Sequence, residues 1–115
     1  MAYSSKHISL IFKSTINIIL HIIGLIGTAG GNGYAIEFAG SYISSLSMEA
    51  RMTICNMSIE AGAKVGLVGV DETTISYIKN AARLNENEIK NAETYWQTLH
   101  SDDDASFDNE LKIDV

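Results

Sequence analysis

Asn56 and Glu60 are the two polar residues whose spacing suggests chemistry. Four residues apart, they share one face of a helix. An amide and a carboxylate held together can bind a hydroxylated acid or a metal-bound water. The same spacing also suits a solvated helix face, and spacing alone favours that plainer reading. Their neighbours shift the balance. Met52, Ile54, Met57, Ile59, Ala61 and Ala63 are apolar on most sides, which predicts a substantially buried helix. A buried Glu is rarely left without a partner or a task. Cys55, between the two faces, reads as a small core hydrophobe. His21 lies in an isoleucine-rich stretch and reads as a packed or rim residue, while His7 and His100 fall in expected loops. No two histidines stand at metal-ligand spacing. Asp102-Asp103-Asp104 lacks the glycine and distal glutamate of a calcium loop, so it reads as a solvated turn. No Ser/His/Asp set can be argued from spacing.

A glycine-dense stretch, Gly27-Thr28-Ala29-Gly30-Gly31-Asn32-Gly33, raises a phosphate cradle as a second possibility. The dinucleotide fingerprint fails, because Ile36 stands where its last glycine belongs. The P-loop fails for want of a following Gly-Lys-Ser/Thr. The loop is expected after a helix and before a strand, the reverse of both motifs. A tight connector with close backbone packing is the favoured reading, and a loop lining a ligand site is the other.

These residues sit in a chain of 115, enough for one small domain, with 46% hydrophobic and 19% charged residues, a globular composition. A net charge of −6 argues against a nucleic-acid partner, which needs a basic surface. Before Glu37 the only charged side chains are Lys6 and Lys13, whereas Asp71 to Val115 hold eleven acids against four bases. The asymmetry suggests two stretches of different origin or environment. A single cysteine excludes an internal disulfide, suits a reducing cytoplasm, and cannot alone hold a zinc or an iron–sulfur cluster. The apolar stretch from Ile8 to Ile26 is interrupted by Lys13, Asn17 and His21. Its longest clean run falls short of the roughly 20 residues of a spanning helix, and its likeness to a signal peptide is faint.

Periodicity then places the elements. Ile8 to Phe12 suits a short strand. Asn17 is expected to cap a helix that buries Ile18, Ile19, Ile22, Ile23 and Ile26 and stops at Gly27. Tyr34 to Ala39 reads as a strand. One long helix is expected from Ser41 to Ala63, with Ile43, Leu46, Ala50, Ile54, Met57 and Ala61 on its inner face. Val65 to Val70 reads as a strand. Asp71 should cap a helix with Ile75, Ile78 and Ala82 inward, and Asn87 a further one that packs through Ile89, Ala92, Trp96 and Leu99. Glu110 to Val115 alternates like a strand. Alternating helices and strands predict an α/β class.

From Ile19 to Gly40, and again from Ser47-Met48-Glu49-Ala50-Arg51-Met52-Thr53-Ile54-Cys55-Asn56-Met57-Ser58-Ile59-Glu60-Ala61-Gly62-Ala63, the chain resembles the large subunits of 3-isopropylmalate dehydratases, within the aconitase superfamily. Asp71-Glu72-Thr73-Thr74, Tyr95-Trp96, Ser101-Asp102 and Phe107-Asp108 extend the likeness, which covers residues 14–115. Residues 1–13 are divergent and not family-like. Thr-Ile-Cys-Asn-Met with a Glu four residues after the Asn is the most specific part.

The resemblance implies part of a three-layer α/β/α domain of the aconitase type, incomplete as a stand-alone fold. It implies an iron–sulfur hydro-lyase that isomerises 2-isopropylmalate to 3-isopropylmalate through 2-isopropylmaleate, a step of leucine biosynthesis. The substrate would be a small 2-hydroxy dicarboxylic acid, the partner a small subunit, the location cytoplasmic, and the cofactor a [4Fe–4S] cluster acting as Lewis acid. Matched residue by residue, Asn56 and Glu60 belong to the family's active-site wall, and Cys55 matches a cysteine that is not a cluster ligand. The family's Gly-Ser-Cys-Thr-Asn and Cys-x-x-Cys motifs, which carry the cluster cysteines, are absent, as is its upstream Asp-Ser-His. Val70 replaces the usual proline before Asp-Glu-Thr-Thr. An internal fragment, inactive on its own, is therefore expected. The alternatives are a non-catalytic remnant, a small membrane-associated protein, or another aconitase-like dehydratase.

Overall fold

A computed structural model describes residues 2–7 and 14–114. In chain order these form β1 (Ala2–His7), α1 (Thr15–Ile26), β2 (Ala35–Ala39), α2 (Ser41–Ser45), α3 (Met48–Met57), a 3-10 turn (Ser58–Ala61), β3 (Val65–Val68), α4 (Glu72–Ala81), α5 (Glu86–Trp96) and β4 (Glu110–Asp114). The four strands make one parallel sheet in the order β3-β2-β1-β4. The class is α/β, as the alternation of patterns predicts.

Helix α1 starts earlier than expected. Ser14, not Asn17, is its N-cap, and the Ser14 hydroxyl accepts from the Asn17 amide. Serine caps as well as asparagine, so the helix gains its first turn and Asn17 falls inside it. It ends at Gly27, whose φ of 80° is the left-handed conformation that favours glycine. Ile18, Ile19 and Ile22 are buried against the sheet and α3. On β2 the period of two puts Ile36 and Phe38 inward, and Ile43, Ile54 and Ile113 complete the same core.

The long helix expected from Ser41 to Ala63 is three pieces. Leu46 is extended (φ −75°, ψ 147°), and Ser47 restarts the helix by accepting from the Ala50 amide. At the far end α3 tightens into the 3-10 turn, which Gly62 terminates at φ 83°. The expected inner face survives the breaks: Ile43, Ile54 and Ala61 are buried. Burial on the remaining sides does not hold. Met52 and Ile59 are exposed, as are Asn56 and Glu60.

Where α3 ends, it presses onto β3. A Cβ added at Gly66 would collide with the Ser58 hydroxyl and lie 2.8 Å from the Cys55 carbonyl oxygen. Ser58 is fully buried and donates to that same carbonyl at 2.6 Å. The glycine-dense loop behaves as a close-packed connector. The Gly31 amide donates to the Ala61 carbonyl at 2.8 Å, and a Cβ at Gly31 would crowd that oxygen and the Ala63 side chain.

Helix α4 begins at Asp71 as expected, the Asp71 carboxylate accepting from the Thr74 amide. Helix α5 is capped by Asn85 rather than Asn87, because Glu88 closes a reciprocal capping box with Asn85. Of its expected packing face, Ile89, Ala92 and Trp96 are half-buried and Leu99 is exposed, and no residue of α5 is fully buried. α4 packs on α3 and α5, and Lys79 bridges to Glu93 at 2.8 Å. The strand expected at Ile8 to Phe12 lies outside the described residues, whereas Ala2–His7 forms a strand between β2 and β4. On the sheet face away from α1 and α3, Val65 and Leu67 are exposed. Parallel sheets are normally covered on both faces, so this is a partial α/β domain.

Candidate functional site

Arg51 organises the region. It is 2% exposed, and every N–H of its guanidinium has an acceptor. Nε donates to the Leu46 carbonyl at 3.2 Å and Nη2 to the Ser44 carbonyl at 3.0 Å. The two carbonyls belong to the break between α2 and α3, where a helix end leaves them without intrahelical partners. Nη1 and Nη2 form a fork on Asp71, at 2.6 and 2.8 Å, and Nη1 also reaches the Thr74 hydroxyl at 3.4 Å. Hydrogen bonds from Arg51 hold the Asp71 carboxyl below the usual carboxylate range. Leaving Arg51 buried without its acid costs about 3 kcal/mol, the low end for a buried pair because the Asp71 side chain is 36% exposed.

Beside this pair lies a cleft of about 250 Å³, walled on one side by Met48, Arg51, Met52, Cys55 and Asn56 of α3 and on the other by Val68 and Thr74. Asn56 is therefore at a cleft, exposed, with both amide donors and its carbonyl oxygen available to a ligand's hydroxyl or carboxylate. Glu60 is not in this lining. It stands exposed on the 3-10 turn. Each residue of such a turn advances about 120° rather than 100°, which carries Glu60 roughly 60° further round than a continuous helix would. Cys55 is half-buried at the cleft rather than in the core. Burial pushes its thiol pKa up, so it stays a thiol and is not an activated nucleophile.

A second hollow of about 190 Å³ lies at the C-terminal ends of β2 and β3 and includes Glu37, Asp71, His100 and Ser101. Ser101 donates to the Glu37 carboxylate at 2.5 Å, drawing the segment after α5 across the sheet. His21 is exposed on α1, and Asp102 to Asp104 are exposed in a turn. Among the described residues no group of three or more His, Cys, Asp or Glu is placed to hold a metal ion. None of their helices is long and apolar enough to cross a membrane. Sequence reasoning missed Arg51. Its only local signal was a basic residue among the apolar positions of α3, and its partner lies twenty residues on.

Residues 13–115 match the aconitase family (aconitate hydratase), and the chain belongs to that family. The 3-isopropylmalate dehydratase large subunit of Psychrobacter cryohalolentis is 57% identical over 99 residues, which are 85% of this chain and 21% of the relative. The same subunit of Psychrobacter arcticus gives the same figures. The chain thus spans 21% of the length of these curated relatives.

Proposed function

We propose that this chain is a segment of the active-site wall of an aconitase-type hydro-lyase that interconverts 2-isopropylmalate and 3-isopropylmalate through 2-isopropylmaleate. The observation that carries the reading is the 57% identity to dehydratase large subunits over a stretch that sets Asn56 at a cleft. Asn56 would hydrogen-bond a hydroxyl or carboxylate of the 2-hydroxy dicarboxylic acid. Glu60, exposed on the adjoining turn outside the cleft lining, would offer its carboxylate to the part of the active site that the rest of a complete large subunit supplies. In this reading residues 14–115 are the catalytic-region segment and residues 1–13 lie outside it. A small subunit would complete the enzyme, and the single cysteine suits a reducing cytoplasm.

A [4Fe–4S] cluster does not fit the residues of this chain. Such a cluster is held by several thiolates, and Cys55 is the one cysteine in the sequence. Cluster ligands would come from elsewhere in a complete large subunit.

Two measurements test the reading. The purified chain, treated with iron and sulfide under reducing conditions, is expected to retain no cluster absorbance and to show no hydration of isopropylmaleate. Residues 14–115, grafted in place of the matching segment of the Psychrobacter cryohalolentis large subunit and expressed with its small subunit, are expected to support hydration. Asn56→Ala and Glu60→Gln in that graft are expected to lower kcat at least tenfold, a loss of about 1.4 kcal/mol of transition-state stabilisation. An inactive graft that still assembles and carries its cluster sinks the reading.

A further inference from the structure

We propose that Arg51 is a positioning residue of the cleft, holding the α3 wall that carries Asn56 at a set separation from the β3–α4 wall through Asp71 and Thr74. The inference rests on the reading of the cleft as an active-site wall. What supports it is the way one buried side chain joins the pieces. Arg51 belongs to α3 and lines the cleft, yet its donors end on the α2–α3 break at Ser44 and Leu46, on the cap of α4 at Asp71, and on the first turn of α4 at Thr74. Cys55 is one turn further along the same helix and Asn56 follows it. Thr74 stands across the cleft from them.

A separation set in this way is specific to the guanidinium. The planar fork takes both oxygens of Asp71 while its remaining N–H groups reach backbone carbonyls on the other side. A lysine offers a point charge without that fixed geometry. An apolar residue of similar length fills the space and leaves both walls untied. Fold stability and cleft separation are therefore separable properties of this position.

Cys55, the chain's one thiol, reports on the separation from inside the cleft. The experiment measures its alkylation rate by N-ethylmaleimide at constant pH in the full chain, alongside the urea midpoint. In Asp71→Asn the cap of α4 is kept, since asparagine caps as well as aspartate, but the fork loses its charge. Alkylation is expected to quicken roughly tenfold as the walls part, and the midpoint to fall. In Arg51→Met with Asp71→Asn the unpaired buried charge has gone, so the midpoint is expected to recover part of the way towards the parent, the Ser44 and Leu46 carbonyls having lost their donor. Alkylation is expected to stay fast, because nothing ties α3 to α4. A merely structural role predicts that reactivity tracks stability. Parental alkylation in the double variant, or no change in Asp71→Asn, overturns the proposal. The thiol readout needs no catalysis, so an inactive graft with these alkylation results fails the reaction reading and leaves the tie itself standing.

Discussion

Gly66→Ala is the sharpest test of how α3 is seated. The added methyl would point at the Ser58 hydroxyl and lie 2.8 Å from the Cys55 carbonyl oxygen and 2.9 Å from the Ser58 Cβ. Two of these atoms cannot swing away, because one is backbone and the other is fixed to a fully buried residue. Overpacking of this kind costs about 1–3 kcal/mol. Replacing a glycine also removes unfolded-state freedom, which favours alanine by about 0.4–1 kcal/mol. The clash wins, leaving a net loss of about 1–2 kcal/mol. With a urea slope of about 1.5 kcal/mol per molar, the midpoint should fall by roughly 1 M. Gly24→Ala is the internal control. Gly24 lies mid-helix on α1 with nothing within 4 Å of an added Cβ, so alanine is expected to stabilise by up to about 1 kcal/mol. Far-UV circular dichroism in urea reads both. Opposite shifts are expected; a Gly66→Ala midpoint at or above the parent's would refute the close seating of α3 on β3.

Other outcomes follow from the same packing. Ile54→Ala removes a side chain with 0% exposure at the centre of the core, and a loss of about 2–5 kcal/mol is expected in the same urea experiment. Asp71 has a depressed native pKa, chiefly from its hydrogen bonds to Arg51. Its contribution is present in full above the ordinary carboxylate value and is lost as pH falls through the native value. Stability of the parent chain should therefore drop below about pH 4 more steeply than that of Asp71→Asn, and equal acid profiles would rule this out. Ile16, Leu20 and Leu25 on α1 and Val65 and Leu67 on the sheet are exposed, so the isolated chain is expected to bind a hydrophobic dye under native conditions. A folded chain that binds no dye would count against that expectation.

Much was legible in the residues because it is decided locally. Asp71 starts α4 because its own carboxylate reaches an amide three residues on. Gly27 stops α1 because its left-handed backbone suits glycine. The alternation of β2 and the three- and four-residue spacing of Ile43, Leu46, Ala50, Ile54, Met57 and Ala61 mark inner faces that the fold keeps. Family membership was readable from the Thr53 to Glu60 stretch and its surroundings, and the match over residues 13–115 bears it out.

Other features depended on contacts between distant residues. The break at Leu46 is tenable because Arg51 takes the freed carbonyls of Ser44 and Leu46. Periodicity runs straight through such a break, since the inner face continues on both sides of it. The 3-10 turn after Met57 comes from the Gly31 and Gly62 contacts that seat it, and it separates Glu60 from the cleft that Asn56 lines. The order of the sheet, with β1 between β2 and β4, is a matter of long-range pairing on which local pattern is silent. By itself, then, the sequence determined the family, the element types and the residues worth watching, because caps, turns and periodicity act over a few residues. Only the tertiary structure decided that Asn56 lies at the cleft while Glu60 stands outside its lining, and that a buried Arg51 joins its walls, because those facts depend on groups a dozen or more residues apart in the chain meeting in the fold.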